Sequence, residues 1–274
     1  LEKEHGKSIP GGEMTKTIGV IGLGSIGLRH AKNLLAMGYR VISWDPVVEA
    51  TKEGVLYCPL RQTVIDDAEA IVIASPTEQH LQDIQDSFNL NSVGVFVEKP
   101  IAHKLSDDID WVDMVGYNLR FHSCVKKAKE WIDSGKIGKA LWAQFTLGQY
   151  SEKPPYLRDG VILNWSHELD LAMYLLGPAQ LAASHTRLSR VGIDYDNPKS
   201  MDKDDICDII LVHNNECRTT VHLDYVTRPE IRTFRIVGDA GRISCDLVQR
   251  DALLFNTETR IERCSFLDTW NDNY

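Results

Sequence analysis

The strongest constraint on this chain is the run from Ile18 to Gly27, where a β-branched apolar stretch passes at once into Gly22, Gly24 and Gly27, spaced G-x-G-x-x-G, and then into an amphipathic segment. A strand that turns this tightly into a helix belongs to a βαβ unit, and the glycines have separate duties. Gly22 permits the tight turn, Gly24 lets the backbone approach a pyrophosphate, and Gly27 lets the helix pack closely on the strand. The helix start at Ser25, Ile26 and Gly27 then offers backbone amides and a partial positive charge to an anion.

The rhythm that follows supports this placement. Short apolar runs at 18–23, 40–44, 70–74, 93–97 and 114–117 alternate with amphipathic segments at 25–37 and from Pro76-Thr77 to Phe88, the pattern of a parallel, doubly wound sheet. The run at 40–44 ends at Trp44-Asp45, and a carboxylate about 20 residues beyond the turn is what a ribose 2′-hydroxyl needs as acceptor. Asp45 would repel a 2′-phosphate, so NAD is expected rather than NADP. The other reading of Asp45 is a turn residue before Pro46. Arg29 and His30, farther along the same helix, read as solvated polar-face residues.

After Asn118 the pattern changes. A helix at 123–134 leads into long alternating segments at 140–150, 181–191, 205–213, 217–226, 231–237 and 242–247, interrupted only by a helix at 166–176 that stops at Gly177-Pro178. Strands in series imply a mostly antiparallel sheet. The expected organisation is an extension or remnant over 1–14, a dinucleotide-binding domain over 15–118, and an α+β substrate and oligomerisation domain over 119–274. A length of 274 residues suits about two domains at roughly 150 residues each.

Composition removes several classes. Thirty Lys and Arg against 39 Asp and Glu give a formal charge of −9, which argues against a nucleic-acid binder. No apolar run approaches the roughly 20 residues of a membrane span. The six cysteines are scattered without metal-ligand or redox spacing, so no metal is expected and the thiols read as reduced, in a cytoplasmic protein.

Two further segments carry chemistry. Gly94-Val-Phe-Val-Glu98-Lys99-Pro100 ends a buried strand in a charged pair and a proline, delivering Lys99 to the carboxyl edge of the sheet, where such folds bind ligands. Spacing alone fits an exposed loop lysine equally well. The turn Ser75-Pro76-Thr77, with His80 behind it, reaches the same edge, or is simply a helix start capped by Thr77. In the second half, positions 169, 172, 173 and 176 form an apolar stripe at helical spacing and leave His167, Asp170 and Tyr174 on the opposite face. A histidine with a carboxylate one turn away is arranged as a general base near neutral pH, and a solvated polar face has the same pattern.

Taken in order, GLGSIG, Asp45, SPT with His80, EKP, GYNLRF and SHELDLAMYLLG resemble the glucose-fructose oxidoreductase and inositol dehydrogenase (Gfo/Idh/MocA) family from about Thr17 onward. The resemblance implies a Rossmann domain followed by an α+β domain, an NAD-dependent oxidoreductase, and a sugar, sugar derivative or cyclic polyol as substrate. It implies that Lys99 contacts nicotinamide and substrate, that His167 is the acid/base, and that Asp170 completes an H-x-x-D pattern. Ser75, Pro76, Thr77, His80, Glu98 and Asn118 join the expected cofactor contacts; Arg120, Asn164 and Tyr174 are the expected substrate contacts.

Some features depart from the family. Its usual Asp before the histidine is Asn164 or Leu163 here, and Asn cannot relay a proton. The 100–117 stretch is shorter than a strand-helix-strand unit, and the residues 270–274 resemble the start of a closing helix. Two rivals therefore stand beside the oxidoreductase: a non-catalytic NAD- or sugar-binding regulator, and an NAD-dependent glycosidase of the same fold. Both faces of the 205–213 segment are partly apolar, which suggests a homo-dimer or homo-tetramer through the second sheet.

Overall fold

The computed structural model describes residues 16–48, 54–91, 94–104, 106–150, 160–189, 204–256 and 260–267. The extension expected over 1–14, the far end of the 181–191 segment and the closing residues 270–274 lie outside the described residues. Contacts divide the chain into two units, 1–116 and 117–274.

In the first unit the order is β1 (Thr17–Ile21), α1 (Ser25–Ala36), β2 (Arg40–Trp44), β3 (Leu56–Tyr57), α2 (Arg61–Asp67), β4 (Ala70–Ile73), a 3-10 turn (Thr77–Gln79), α3 (His80–Asn91), β5 (Gly94–Val97), a second 3-10 turn (Asp107–Trp111) and β6 (Met114–Val115). All strands run parallel, in the order β3-β2-β1-β4-β5-β6. The order reverses between β1 and β4, so the carboxyl ends of these two strands flank the crevice where doubly wound sheets take ligands. Every residue of β1 is buried, as expected for a strand covered on both faces. Ile65, Ile71, Ile73 and Val97 pack in one cluster. Val20, Ala31, Val41 and Val72 pack in another. Among the described residues, the short stretch after Pro100 holds a 3-10 turn, and Trp111 from it stacks on Phe88 at 4.3 Å.

The second unit opens with a 3-10 turn (Asn118–Phe121), then α4 (Ser123–Asp133), β7 (Ala140–Gly148), α5 (Gly160–Asn164), α6 (His167–Leu176), β8 (Ala179–Arg187), β9 (Ile206–His213), β10 (Arg218–Asp224), β11 (Ile231–Gly238), β12 (Arg242–Asp246), β13 (Asp251–Phe255) and β14 (Arg260–Ser265). Eight strands form one sheet in the order β14-β13-β12-β11-β7-β10-β9-β8. The pairing is antiparallel throughout except between β7 and β10, which run parallel at its centre. Trp131 of α4, Leu171 and Leu175 of α6, and Phe145, Ile209 and Phe234 of the sheet share one core. Along β9, Cys207, Ile209 and Leu211 are buried while Asp208, Ile210 and Val212 are exposed, so one face of the sheet meets the core and the other carries exposed apolar side chains.

Three expectations need correction. A second short helix, α5, precedes α6, so one helix alone does not interrupt the strands. The stripe expected at 169, 172, 173 and 176 is out of phase: Glu168, Leu171, Ala172, Leu175 and Leu176 are buried, and Met173 is 44% exposed. Asp170, expected on the solvent side, is 4% exposed. The helix is turned by a buried ion pair, because Glu168 Oε1 and Oε2 accept from Arg232 Nε and Nη2 of β11 at 2.7 and 3.2 Å.

Candidate active site

The first unit brings the glycine turn, the serine-proline turn and the lysine turn to the carboxyl ends of β1, β4 and β5. Gly22 has φ +91°, and its N–H donates to the Trp44 carbonyl at 2.9 Å. A Cβ on Gly27 would lie 1.9 Å from the Gly22 carbonyl oxygen, so only glycine lets α1 start this close to the turn. Gly24 is different, since a Cβ there would meet nothing within 4 Å. Gly24 and Ser25 are exposed and Ile26 is half-buried. No side chain caps α1, and no acidic residue lies in its first turn. This is the chemistry of an anion cradle: open space beside a glycine, backed by helix amides.

Asp45 is 9% exposed and makes the turn that its position before Pro46 suggested. Its Oδ1 accepts the N–H groups of Val47 and Val48 at 2.8 and 2.9 Å, making the turn before and after Pro46. Its Oδ2 accepts Leu23 N–H at 2.6 Å, which ties it to the glycine turn.

At the end of β4, Ser75 Oγ donates to Asp83 Oδ2 at 2.5 Å, and Asp83 also pairs with Arg61. Pro76 is the residue before the 3-10 turn and no side chain caps that turn, so the expected Thr77 cap does not form; Thr77 is half-buried as its first residue. His80 is 1% exposed, with Nδ1 3.0 Å from the Pro100 carbonyl oxygen and Nε2 2.8 Å from that of Ser75. Glu98, Lys99 and Pro100 are all half-buried, and the Lys99-Pro100 bond is cis. His30 is not a solvated residue: its Nε2 lies 2.7 Å from Glu98 Oε1, with a side chain 13% exposed.

The second unit collects its own set. Arg120 donates from Nε to Asp170 Oδ2 at 2.9 Å and from Nη2 to Asp170 Oδ1. The guanidinium also lies 5.8 Å from the Tyr117 ring and 5.1 Å from the Tyr174 ring. His167, the first residue of α6, meets Tyr117 edge-on at 5.7 Å. Asn118 is buried at the head of the 3-10 turn that carries Arg120. Burial pushes the Asp170 carboxyl up, with Arg120 pulling it back in part. Burial also raises the Tyr117 hydroxyl. The Asp170 carboxylate, expected to serve His167 or substrate, gives both oxygens to Arg120. Asn164 Nδ2 donates to the Gly160 carbonyl at 3.1 Å, closing its own turn of α5.

Sequence reasoning missed Glu168 and Arg232, and it misread His30. A glutamate beside an apolar stripe gives no sign that its partner lies 64 residues away.

Among known proteins, residues 125–244 match the GFO/IDH/MocA C-terminal domain, and residues 4–94 match the D-isomer specific 2-hydroxyacid dehydrogenase, NAD binding domain. An inositol 2-dehydrogenase of Rhizobium meliloti (strain 1021) is 30% identical over 196 residues, covering 63% of this chain and 58% of that protein. The scyllo-inositol 2-dehydrogenase (NAD(+)) of Bacillus subtilis (strain 168) is 29% identical over 203 residues, covering 65% and 58%. The chain thus spans under two thirds of the length of these relatives. Among solved structures, a levoglucosan dehydrogenase in complex with NADH and levoglucosan shares the fold, with a TM-score of 0.81, 20% identity, and 92% of this chain and 80% of that one covered.

Proposed function

We propose that the chain, whose second unit matches the GFO/IDH/MocA C-terminal domain, is a Gfo/Idh/MocA-family NAD-dependent oxidoreductase acting on a carbinol carbon of a sugar, sugar derivative or cyclic polyol. The observation that carries this reading is the open cradle at Gly24, set at the start of an uncapped helix on the switch-point strand. The first unit would hold the dinucleotide and the second the substrate. NAD, when bound, supplies the hydride acceptor or donor.

This chain's residues do the remainder. The amides of Ser25, Ile26 and Gly27 bind the pyrophosphate, and the carboxylate of Asp45, at the end of β2, takes a ribose hydroxyl and repels a 2′-phosphate. Lys99 holds and polarises the reacting oxygen with its ammonium. His167 takes the hydroxyl proton in oxidation and returns it in reduction. Arg120, near the Tyr117 and Tyr174 rings and gripped by Asp170, presents its outer edge to substrate hydroxyls or a carboxylate; Asp170 acts through Arg120.

A panel of sugars, sugar acids and inositols with NAD tests this, read as nicotinamide absorbance. Turnover with one of them, lost in Lys99→Ala and His167→Ala, is the expected result. Full activity in either variant removes that residue from the chemistry.

We also propose a homo-oligomer acting in the cytoplasm. Exposed Trp142, Ile210, Val212 and Ile231, on the face turned away from the core, support a second copy on the sheet, and the free cysteines suit a reducing compartment. Among the described residues no helix is long and apolar enough to cross a membrane. Sedimentation as a monomer at micromolar concentration would overturn the oligomer.

A further inference from the structure

The lysine turn of the first unit is gripped on both sides by histidines that the chemistry above does not use. His30, in the second turn of α1, reaches Glu98 Oε1 at 2.7 Å and meets the Phe96 ring edge-on at 5.1 Å. The other carboxylate oxygen of Glu98 accepts the Lys99 N–H at 3.2 Å. Gly116 makes room for this arrangement, because a Cβ there would stand 2.9 Å from Glu98 Oε1. On the other side of the lysine, the buried His80 ring bridges the carbonyl oxygens of Pro100 and Ser75 at 3.0 and 2.8 Å.

The residues before and after Lys99 are therefore each tied to a different helix. α1 begins at the glycine turn, and His80 opens α3 directly behind Ser75-Pro76-Thr77. We infer that His30 and His80 are positioning residues, a two-point clamp that fixes the Lys99 ammonium relative to the glycine and serine-proline turns. His30 acts through the Glu98 carboxylate and His80 through the Pro100 carbonyl.

The side-chain chemistry explains why histidine occupies position 80. Both of its neighbours are carbonyl acceptors, and they lie off two different ring nitrogens. Each ring nitrogen faces one of them, so the ring spans both carbonyls from a single side chain. Glutamine places an amide nitrogen near Nε2 and keeps the Ser75 tie alone. Asparagine places one near Nδ1 and keeps the Pro100 tie alone.

The inference rests on the oxidoreductase reading for its purpose, and its test does not. The lysines of the full chain are reductively methylated with a 13C label, and the Lys99 signal is assigned by its loss in Lys99→Arg. Without NAD or substrate, His30→Ala and His80→Gln shift and narrow that signal. His30→Gln, which restores an N–H toward Glu98, and His80→Asn, which restores the Pro100 tie, leave it near its wild-type position. In the presence of NAD and a substrate, kcat falls about 10- to 100-fold in the first pair while KM for substrate changes little, since a displaced group costs rate before it costs binding. A Lys99 signal that is the same in all four variants as in the wild type overturns the clamp, whatever the activity. A displaced signal in a chain that turns over nothing supports the clamp and removes the oxidoreductase reading.

Discussion

Arg120 and Asp170 close a two-pronged contact across 50 residues of chain, with Nε and Nη2 of the arginine on the two carboxylate oxygens. The arginine side chain is 43% exposed and the carboxylate 5%, so the buried partner depends on the accessible one. An acidic residue one turn after a histidine reads as that histidine's partner; here it is the socket for an arginine.

The Asp170 carboxyl sits above its ordinary range through burial, offset in part by Arg120. The native chain therefore holds that proton more tightly than the unfolded chain, and stability is lost as pH rises from the ordinary carboxylate range through the native value. Arg120→Ala raises the native value further and widens the window. The variant is expected to lose about 2 kcal/mol near pH 7 and much less near pH 4, as measured by urea unfolding at both.

In the Glu168–Arg232 pair the carboxylate side chain is 3% exposed and the arginine 13%. Arg232→Met strands a carboxylate inside the second unit and is expected to cost about 3–5 kcal/mol in chemical denaturation. Replacing both residues, as in Glu168→Leu with Arg232→Met, recovers most of that loss. A double variant as unstable as the single one would show that the pair is not what holds α6.

Two glycines of one motif are expected to fail differently. Gly24→Ala meets open space, so the melting temperature holds while NAD binding, followed by calorimetry, weakens by about tenfold or more. Gly27→Ala drives a methyl group into the Gly22 carbonyl, and the first unit unfolds at markedly lower temperature with or without NAD.

Glu262 is held down to about 2, first by Lys136 and then by Lys127 and Trp131. A lowered carboxylate stabilises the fold above its unfolded value, and that contribution disappears as pH falls toward the native one. Glu262→Gln should flatten the decline in stability between about pH 5 and pH 2, and added salt should flatten it in the wild type, because the partners are near the surface.

The legible parts of the fold were those written locally. The strand, three glycines and helix at 17–36 specify their own geometry through sterics, and β2, β4 and β5 read as buried apolar runs because parallel strands are covered on both faces. The two-residue β3 and the short α2 and α5 have few residues over which a period can show, while β13 and β14 lie beyond the last strand expected from the sequence. The phase of α6 was hidden for a different reason. Its burial is decided by Arg232, and charge pairing over such a separation leaves no periodic mark. Of the site, the turns at Gly22–Gly27, Ser75–Thr77 and Glu98–Pro100 were visible as motifs. The ties of His30 to Glu98 and of His80 to two carbonyls were not, because the partners meet only once β1, β4 and β5 lie side by side.

The parallel pairing of β7 with β10 has a consequence during synthesis. β7 lies between β10 and β11, and both neighbours follow it in the chain, so its hydrogen-bonding edges have no native partner when it leaves the ribosome. About 70 residues separate Gly148 from Arg218, which at roughly 5–20 residues per second leaves Phe145 and Leu147 waiting for several seconds. In a nascent chain this strand is the place where chaperone engagement, or premature association between chains, would begin.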